Sequence, residues 1–246
     1  MANSSLETFD LNVLYSPSIE LVEPSGVVQA SVGSSRVLRC RAEGRPAPAY
    51  QWLHQQGPGG QVEVVAASRD LELQALGYRE AGDYICRVTN TISGEERSAE
   101  SEVITIQVEG EPQLLGEASV VASTGDTALL EQVLCSDPPA TTTTWQWDQV
   151  VLGPGGSVDT RYRAELEPHP IMSQCHTSRL LVEGVDRGDS GKYVVRAENE
   201  RGMDMVTVQL LVQDSLSMVS FPTINTNCAL KVSQSCKSLC LQLIQL

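Results

Sequence analysis

Seven cysteines and three histidines are the residues through which this chain could do chemistry. The histidines, His54, His169 and His176, are scattered, and no H-E-x-x-H string sets two imidazoles on one helix face for a metal. No G-x-S-x-G nucleophile turn and no phosphate loop occurs. Two Gly-Pro-Gly-Gly strings, at 57–60 and 153–156, lack the Lys-Ser/Thr of a nucleotide loop and have the composition of a turn. Cys236 and Cys240 could share one side of a helix, but no histidine or acid joins them as metal ligands. His54 alternates in register with Trp52 and reads as a sheet-edge residue. The expectation is no enzyme, no cofactor, no metal and no small-molecule substrate. What remains open to the cysteines is disulfide chemistry.

The elements that would position them are strands. Arg79 to Cys86 reads E-x-G-x-Y-x-C, a tight corner followed by a strand. Period-2 spacing puts Tyr84 and Cys86 on one face. Cys40 lies 46 residues before Cys86, and Trp52 lies 12 after Cys40. The pattern recurs downstream. Asp189 to Val195 repeats the corner around Tyr193 with valine in place of the cysteine, and Cys135 and Trp147 are again 12 apart. The offset is 95 residues from Cys40 to Cys135 and 109 from Tyr84 to Tyr193, so the second copy holds about 14 extra residues (109 − 95). A Gly-Pro-Gly-Gly turn follows the tryptophan in each copy.

The order Cys…Trp…Tyr-x-Cys resembles the immunoglobulin superfamily, over roughly residues 6–213. The resemblance implies an all-β chain of two tandem immunoglobulin-like β-sandwiches with an irregular C-terminal tail. The expected divisions are 1–16, a remnant of a preceding domain or a leader; 17–109, domain 1; 112–213, domain 2; and 214–246, the tail, holding Cys228, Cys236 and Cys240. Trp52, Tyr84, Trp147 and Tyr193 would be core framework residues. The family pattern implies a Cys40–Cys86 bridge, worth about 4 kcal/mol in the loop-entropy view. Val195 departs from that pattern, so the usual bridge of domain 2 cannot form. In this fold the strand at Leu180 pairs antiparallel with the cysteine strand, which implies a Cys135–Cys175 bridge within one sheet, with two free thiols as the alternative. The cysteine strand itself is ambiguous. One face would carry Glu131 with Cys135, the other Gln132 with Leu134, and a bulge could reconcile them. The short junction Glu109-Gly110-Glu111-Pro112 implies an extended pair with restricted bending.

Composition limits the partners. A formal charge of −14, from 31 acids against 17 bases, argues against nucleic acid and anionic lipid surfaces. The cysteine framework points to an oxidising compartment, hence an extracellular or cell-surface parent protein. Met1 to Asp10 has no basic start and no apolar core, and no apolar run reaches about 18 residues, so the chain as given is expected to lack a signal peptide and a membrane span. Asn3-Ser4-Ser5 is a glycosylation sequon near the terminus. Arg187-Gly188-Asp189-Ser190 spells a tetrapeptide read by integrins, but Asp189 also holds the corner position of Glu80, where Arg161 or Arg163 could engage it. The Leu-Asn-Val-Leu-Tyr-Ser-Pro junction, the Gly-x-Pro-x-Pro turn and the Arg-Ala-Glu-Asn-Glu-Arg-Gly hairpin resemble tandem cell-adhesion ectodomains of the nephrin, Kirrel and echinoid kind. That resemblance implies cell–cell recognition of protein partners, the same or related immunoglobulin-family molecules. The alternatives are a soluble receptor or decoy fragment and a cytosolic muscle-type spacer.

Overall fold

The computed structural model describes residues 13–214. Asn3, residues 1–12 of the segment expected as a remnant or leader, and Cys228, Cys236 and Cys240 lie outside the described residues, while Tyr15 and Ser16 open the first strand. Domain 1 is built from β1 (Tyr15–Glu23), β2 (Gly26–Ser31), β3 (Arg36–Arg45), β4 (Ala49–Gln55), β5 (Val62–Ala66), β6 (Asp70–Leu73), β7 (Gly82–Ile92), β8 (Glu95–Glu100) and β9 (Ile104–Leu115). One sheet runs β1-β3-β6; the other runs β2-β9-β7-β4-β5, with β8 extending the β7 hairpin. The alternating burial of β7, with Tyr84, Cys86 and Val88 inward, is what period-2 side chains on a half-buried sheet require.

Between the two sheets Cys40 of β3 is bonded to Cys86 of β7, and Trp52 stands opposite Cys86 with no exposed surface. Burying one indole at ~25 cal/mol per Å2 stabilises by about 4–6 kcal/mol, an upper figure because an unfolded chain already hides part of that area. At the corner the Tyr84 hydroxyl donates to Glu80 O at 2.8 Å, and the Gly77 N–H donates to Glu80 Oε2 at 2.8 Å. Gly82 follows at φ +132°, where an added Cβ would sit 2.4 Å from Gln55 O, so only glycine lets β7 start against β4.

Domain 2 comprises β10 (Ser119–Ser123), β11 (Ala128–Asp137), β12 (Thr142–Trp147), β13 (Val150–Leu152), β14 (Ser157–Val158), β15 (Tyr162–Pro168), β16 (Cys175–Val182), β17 (Gly191–Asn199) and β18 (Gly202–Gln213). Its sheets are β10-β18-β17-β12-β13 and β14-β15-β16-β11-β9. The extra residues of this copy form β14, β15 and the loop 169–174 that leads into β16.

One expectation changes here and one ambiguity closes. The junction 109–112 is not a linker between strands. β9 crosses it without a break, its first part pairing with β2 and β7, then Gly110 and Gln113 to Leu115 pairing with β11. Pro112 is tolerated in the strand because it falls in the register shift between the pairs Asp137↔Gly110 and Cys135↔Gln113, where no register pair requires its missing N–H. The ambiguity in β11 also resolves without a bulge against β16. The register runs unbroken from Ala128↔Val182 to Cys135↔Cys175, so Leu130, Gln132 and Leu134 face the core of domain 2 and Cys135 faces the other way.

That register changes which residues correspond between the copies. In domain 1 the Cys40 N–H donates to Arg69 O, and Arg69 lies 15 residues before Tyr84. In domain 2 the residue 15 before Tyr193 is Ser178, and it stands opposite Gln132. Pro46 follows Cys40 by six residues and Pro138 follows Gln132 by six. Each of these prolines accepts from an asparagine six residues after its tyrosine, Asn90 to Pro46 O at 3.0 Å and Asn199 to Pro138 O at 2.9 Å. Gln132, not Cys135, therefore holds the place of Cys40.

The tryptophan shifts likewise. Trp145 stands opposite Val195 as Trp52 stands opposite Cys86. Trp145 is 1% exposed, and its Nε1 donates to Ser178 Oγ at 3.0 Å. Trp147, expected in that place, sits at the position of His54. It stacks on Tyr162 at 4.9 Å and tilts against Tyr193 at 5.6 Å, as His54 stacks on Tyr84 at 4.4 Å. The shared spacing of 12 between cysteine and tryptophan joins residues on opposite faces in the second copy, because a displacement of three along a strand inverts the face.

Candidate recognition surface

The outer face of domain 1's larger sheet carries a row of apolar side chains. Val64 of β5, Leu53 of β4 and Ile85 of β7 are direct cross-strand partners, so they share one face, opposite that of Trp52 and Cys86. Leu53 is only 5% exposed yet lies outside the core cluster of its domain. Val64 and Val62 on the edge strand are each 58% exposed. Polar rows flank this stripe. On one side Gln51, Arg87 and Glu100 line up, with Arg87 Nε donating to Glu100 Oε1 at 2.7 Å. On the other, Gln55, Asp83 and Thr105 line up, with Thr105 Oγ1 donating to Asp83 Oδ1 at 2.7 Å. An apolar centre with paired polar groups at its rim is the anatomy of a protein-docking patch. The signal was present in the alternation, since Leu53, Val64 and Ile85 are apolar at positions that face away from the core.

The other candidate residues are occupied structurally. Arg187 to Asp189 forms a single 3-10 turn, and the Asp189 carboxylate, 7% exposed, points into domain 2. Arg161 Nη2 donates to its Oδ2 at 2.5 Å, the Tyr162 hydroxyl to its Oδ1 at 2.5 Å, and the Asp186 N–H to Oδ2 at 2.8 Å. Burial works to raise this carboxyl, but the hydrogen bonds from Tyr162, Asp186 N and Arg161 outweigh it and hold the group below the usual carboxylate range. Arg187 instead reaches Asp214, donating through Nε at 2.9 Å. Arg163 pairs with Glu165. The two charges an integrin would read are thus not displayed together. The Tyr193 hydroxyl closes the corner by donating to Asp189 O at 2.9 Å, and burial first, then the Asp189 charge, push it up to about 12.

Among the described histidines, His54 Nε2 is 3.1 Å from Ala81 O, and His169 Nδ1 accepts from the Met172 N–H at 3.1 Å. Among the described residues no group of three or more His, Cys, Asp or Glu side chains converges on a metal position, and no helix is long and apolar enough to cross a membrane. The two described disulfides are Cys40–Cys86 and Cys135–Cys175.

Two sandwiches with tyrosine corners define the class. Residues 16–90 match the Immunoglobulin domain family and residues 116–212 the Immunoglobulin I-set domain family. The chain belongs to the immunoglobulin superfamily. It is 30% identical over 206 residues to "Cell adhesion molecule Dscam2" of Drosophila melanogaster, covering 79% of this chain and 9% of that protein. It is 28% identical over 161 residues to "Kin of IRRE-like protein 2" of Homo sapiens, covering 65% of this chain and 21% of that protein. The chain thus spans less than a quarter of the length of either relative. Among solved structures it is similar to a complex of Dpr2 Ig1-Ig2 with DIP-Theta Ig1-Ig3, at 23% identity and TM-score 0.43 over 82% of this chain and 66% of that one.

Proposed function

We propose that this chain is a recognition module for cell–cell adhesion, docking protein partners through the outer face of domain 1's larger sheet. The partners are copies of the same protein or related immunoglobulin-family molecules, and the parent protein acts at the cell surface. The observation that supports this reading is the apolar row Val64–Leu53–Ile85 set between two polar rows. Covering this face gains ~25 cal/mol per Å2 of apolar area removed from water, chiefly at Val64, which is 58% exposed, since Leu53 is already buried. The relative at 30% identity, Dscam2, is a cell adhesion molecule, which supports the same reading.

The test is a bead-aggregation assay with the full chain, homotypic and against beads carrying related ectodomains. Val64→Glu with Ile85→Glu places two charges in the apolar row while leaving the Trp52 core intact. Aggregation by the parent chain and its loss in the double variant are expected. Aggregation undiminished by the double variant would sink the assignment of this face, and no aggregation with any partner would sink the adhesive role.

A further inference from the structure

The second disulfide does not do what the first does. Cys40 and Cys86 join strands of opposite sheets across a core. Cys135 and Cys175 stand directly opposite each other on β11 and β16, neighbours within one sheet, with Cα atoms 4.0 Å apart. A bond between adjacent strands cannot tie two sheets together. The positions that would do so in domain 2 hold Gln132 and Val195, and its core closes around Trp145 without a bridge.

The surroundings of the bridge belong to the other domain. Cys135 is 0% and Cys175 2% exposed, and both group with the core residues of domain 1, together with Leu115, Val133 and Met172. Cys175 is also the foot of the loop 169–174. That loop is closed on itself by the His169 N–H donating to Cys175 O at 2.9 Å and the Cys175 N–H to Met172 O at 3.1 Å. Its tip lies on the Gly-Pro-Gly-Gly turn of domain 1. A Cβ at Gly57 would sit 2.2 Å from Ile171 O, and one at Gly60 3.3 Å from Ile171 Cγ2. Beside the bridge, Gln174 Nε2 donates to Val108 O at 3.0 Å, and the Asp137 N–H donates to the Tyr78 hydroxyl oxygen at 2.9 Å. Asp137 is two residues from Cys135 and Gln174 is one from Cys175, so the bridge joins two of the segments of domain 2 that hold domain 1; a third, the turn between β17 and β18, reaches Glu109 through Arg201 at 3.1 Å and Gly110 O through Asn199 at 2.8 Å.

We propose that Cys135–Cys175 is the fastener of the elbow. It holds the 169–174 loop and the end of β11 as one surface against domain 1, and so sets the angle between the domains, while the sandwich of domain 2 stands without it. The angle in turn decides how a face on domain 1 is presented relative to domain 2. This inference does not depend on the adhesive reading.

Hydrogen exchange on the full chain carrying Cys135→Ala with Cys175→Ala tests it. Protection of the Asp137 amide and of the hydrogen-bonded amides of His169, Met172 and Cys175 is expected to fall by at least about tenfold, with the amides of Trp145 on β12 and Val195 on β17 unchanged. Equal loss at Trp145 and Val195, or a variant that does not fold, would show that the bridge holds the sandwich and overturn the proposal. So would unchanged protection at His169, Met172 and Cys175. A second variant, Gly57→Ala, leaves both cysteines in place but drives a methyl group into Ile171 O. It is expected to free the His169 and Met172 amides while Asp137 stays protected. Loss at Trp145 in that variant would also count against the fastener.

Discussion

Trp145 faces Val195 across β12 and β17 as Trp52 faces Cys86 across β4 and β7, so the second sandwich keeps the indole of the first and loses both cysteines beside it. Gln132 and Val195 mark the vacated positions. The following expectations depend on that correspondence and on the surroundings of particular side chains.

Restoring the pair should restore the bond. Gln132→Cys with Val195→Cys is expected to form a cross-sheet disulfide, seen by mass spectrometry as a linked peptide pair after alkylation of remaining thiols. In the loop-entropy view the gain is about 4 kcal/mol in domain 2 stability. Two alkylated cysteines at those positions would show that the correspondence is misplaced.

The two tryptophans of β12 should not be equal. Trp145→Ala removes the fully buried indole and its bond to Ser178, at a cost of about 3–5 kcal/mol. Trp147→Ala is expected to cost less, because that ring is 9% exposed and packs at the tyrosine corner rather than at the centre. Chemical denaturation of the two variants, followed in domain 2, ranks them; a larger loss for Trp147 would contradict the assignment.

Asp189 should make domain 2 acid-sensitive. Its carboxyl is held below its ordinary range when folded, so the stabilisation is fully present above the unfolded value near 3.9 and is lost as pH falls through the folded value. Asp189→Asn should cost about 1–3 kcal/mol at neutral pH by weakening bonds to a buried acceptor. The variant should also flatten the loss of stability below pH ~4. Arg161 is 37% exposed, so its Coulomb share is screened. Asp189→Glu is expected to leave integrin-dependent cell attachment unchanged, since the carboxylate faces inward.

At the elbow, Tyr78→Phe deletes the hydroxyl that accepts from Asp137 N and donates to Glu111 O at 3.2 Å. The expected cost is about 1–2 kcal/mol, with faster exchange confined to the Asp137 amide and its neighbours. Exchange that rises throughout domain 1 would mean Tyr78 serves its own core instead.

Much of the architecture was legible in the chain itself. The two tyrosine corners, the alternation of β7 and β17 and the glycine turns are local features. Local spacing suffices for them because a strand's period is two and a corner's residues touch one another. The correspondence within β11 was also written there, in a proline six residues after Cys40 and another six after Gln132. It was masked by a cysteine and a tryptophan that happen to be 12 apart. The apolar row Val64–Leu53–Ile85 could not be assembled from spacing, since it comes from three strands whose register is set by pairing.

By itself the sequence determined that there are two β units, where their corners lie, and that Cys40, Trp52 and Cys86 belong to one core. Tertiary structure decided which face of β11 points inward, which indole of β12 is buried, and that β9 runs unbroken from one unit into the next. The physical reason is that alternation separates a strand's two faces but does not say which is covered. That choice goes to whichever face buries more apolar surface against partners distant in sequence. For β11 both faces find cover, Leu130 and Leu134 in domain 2 and Cys135 against domain 1.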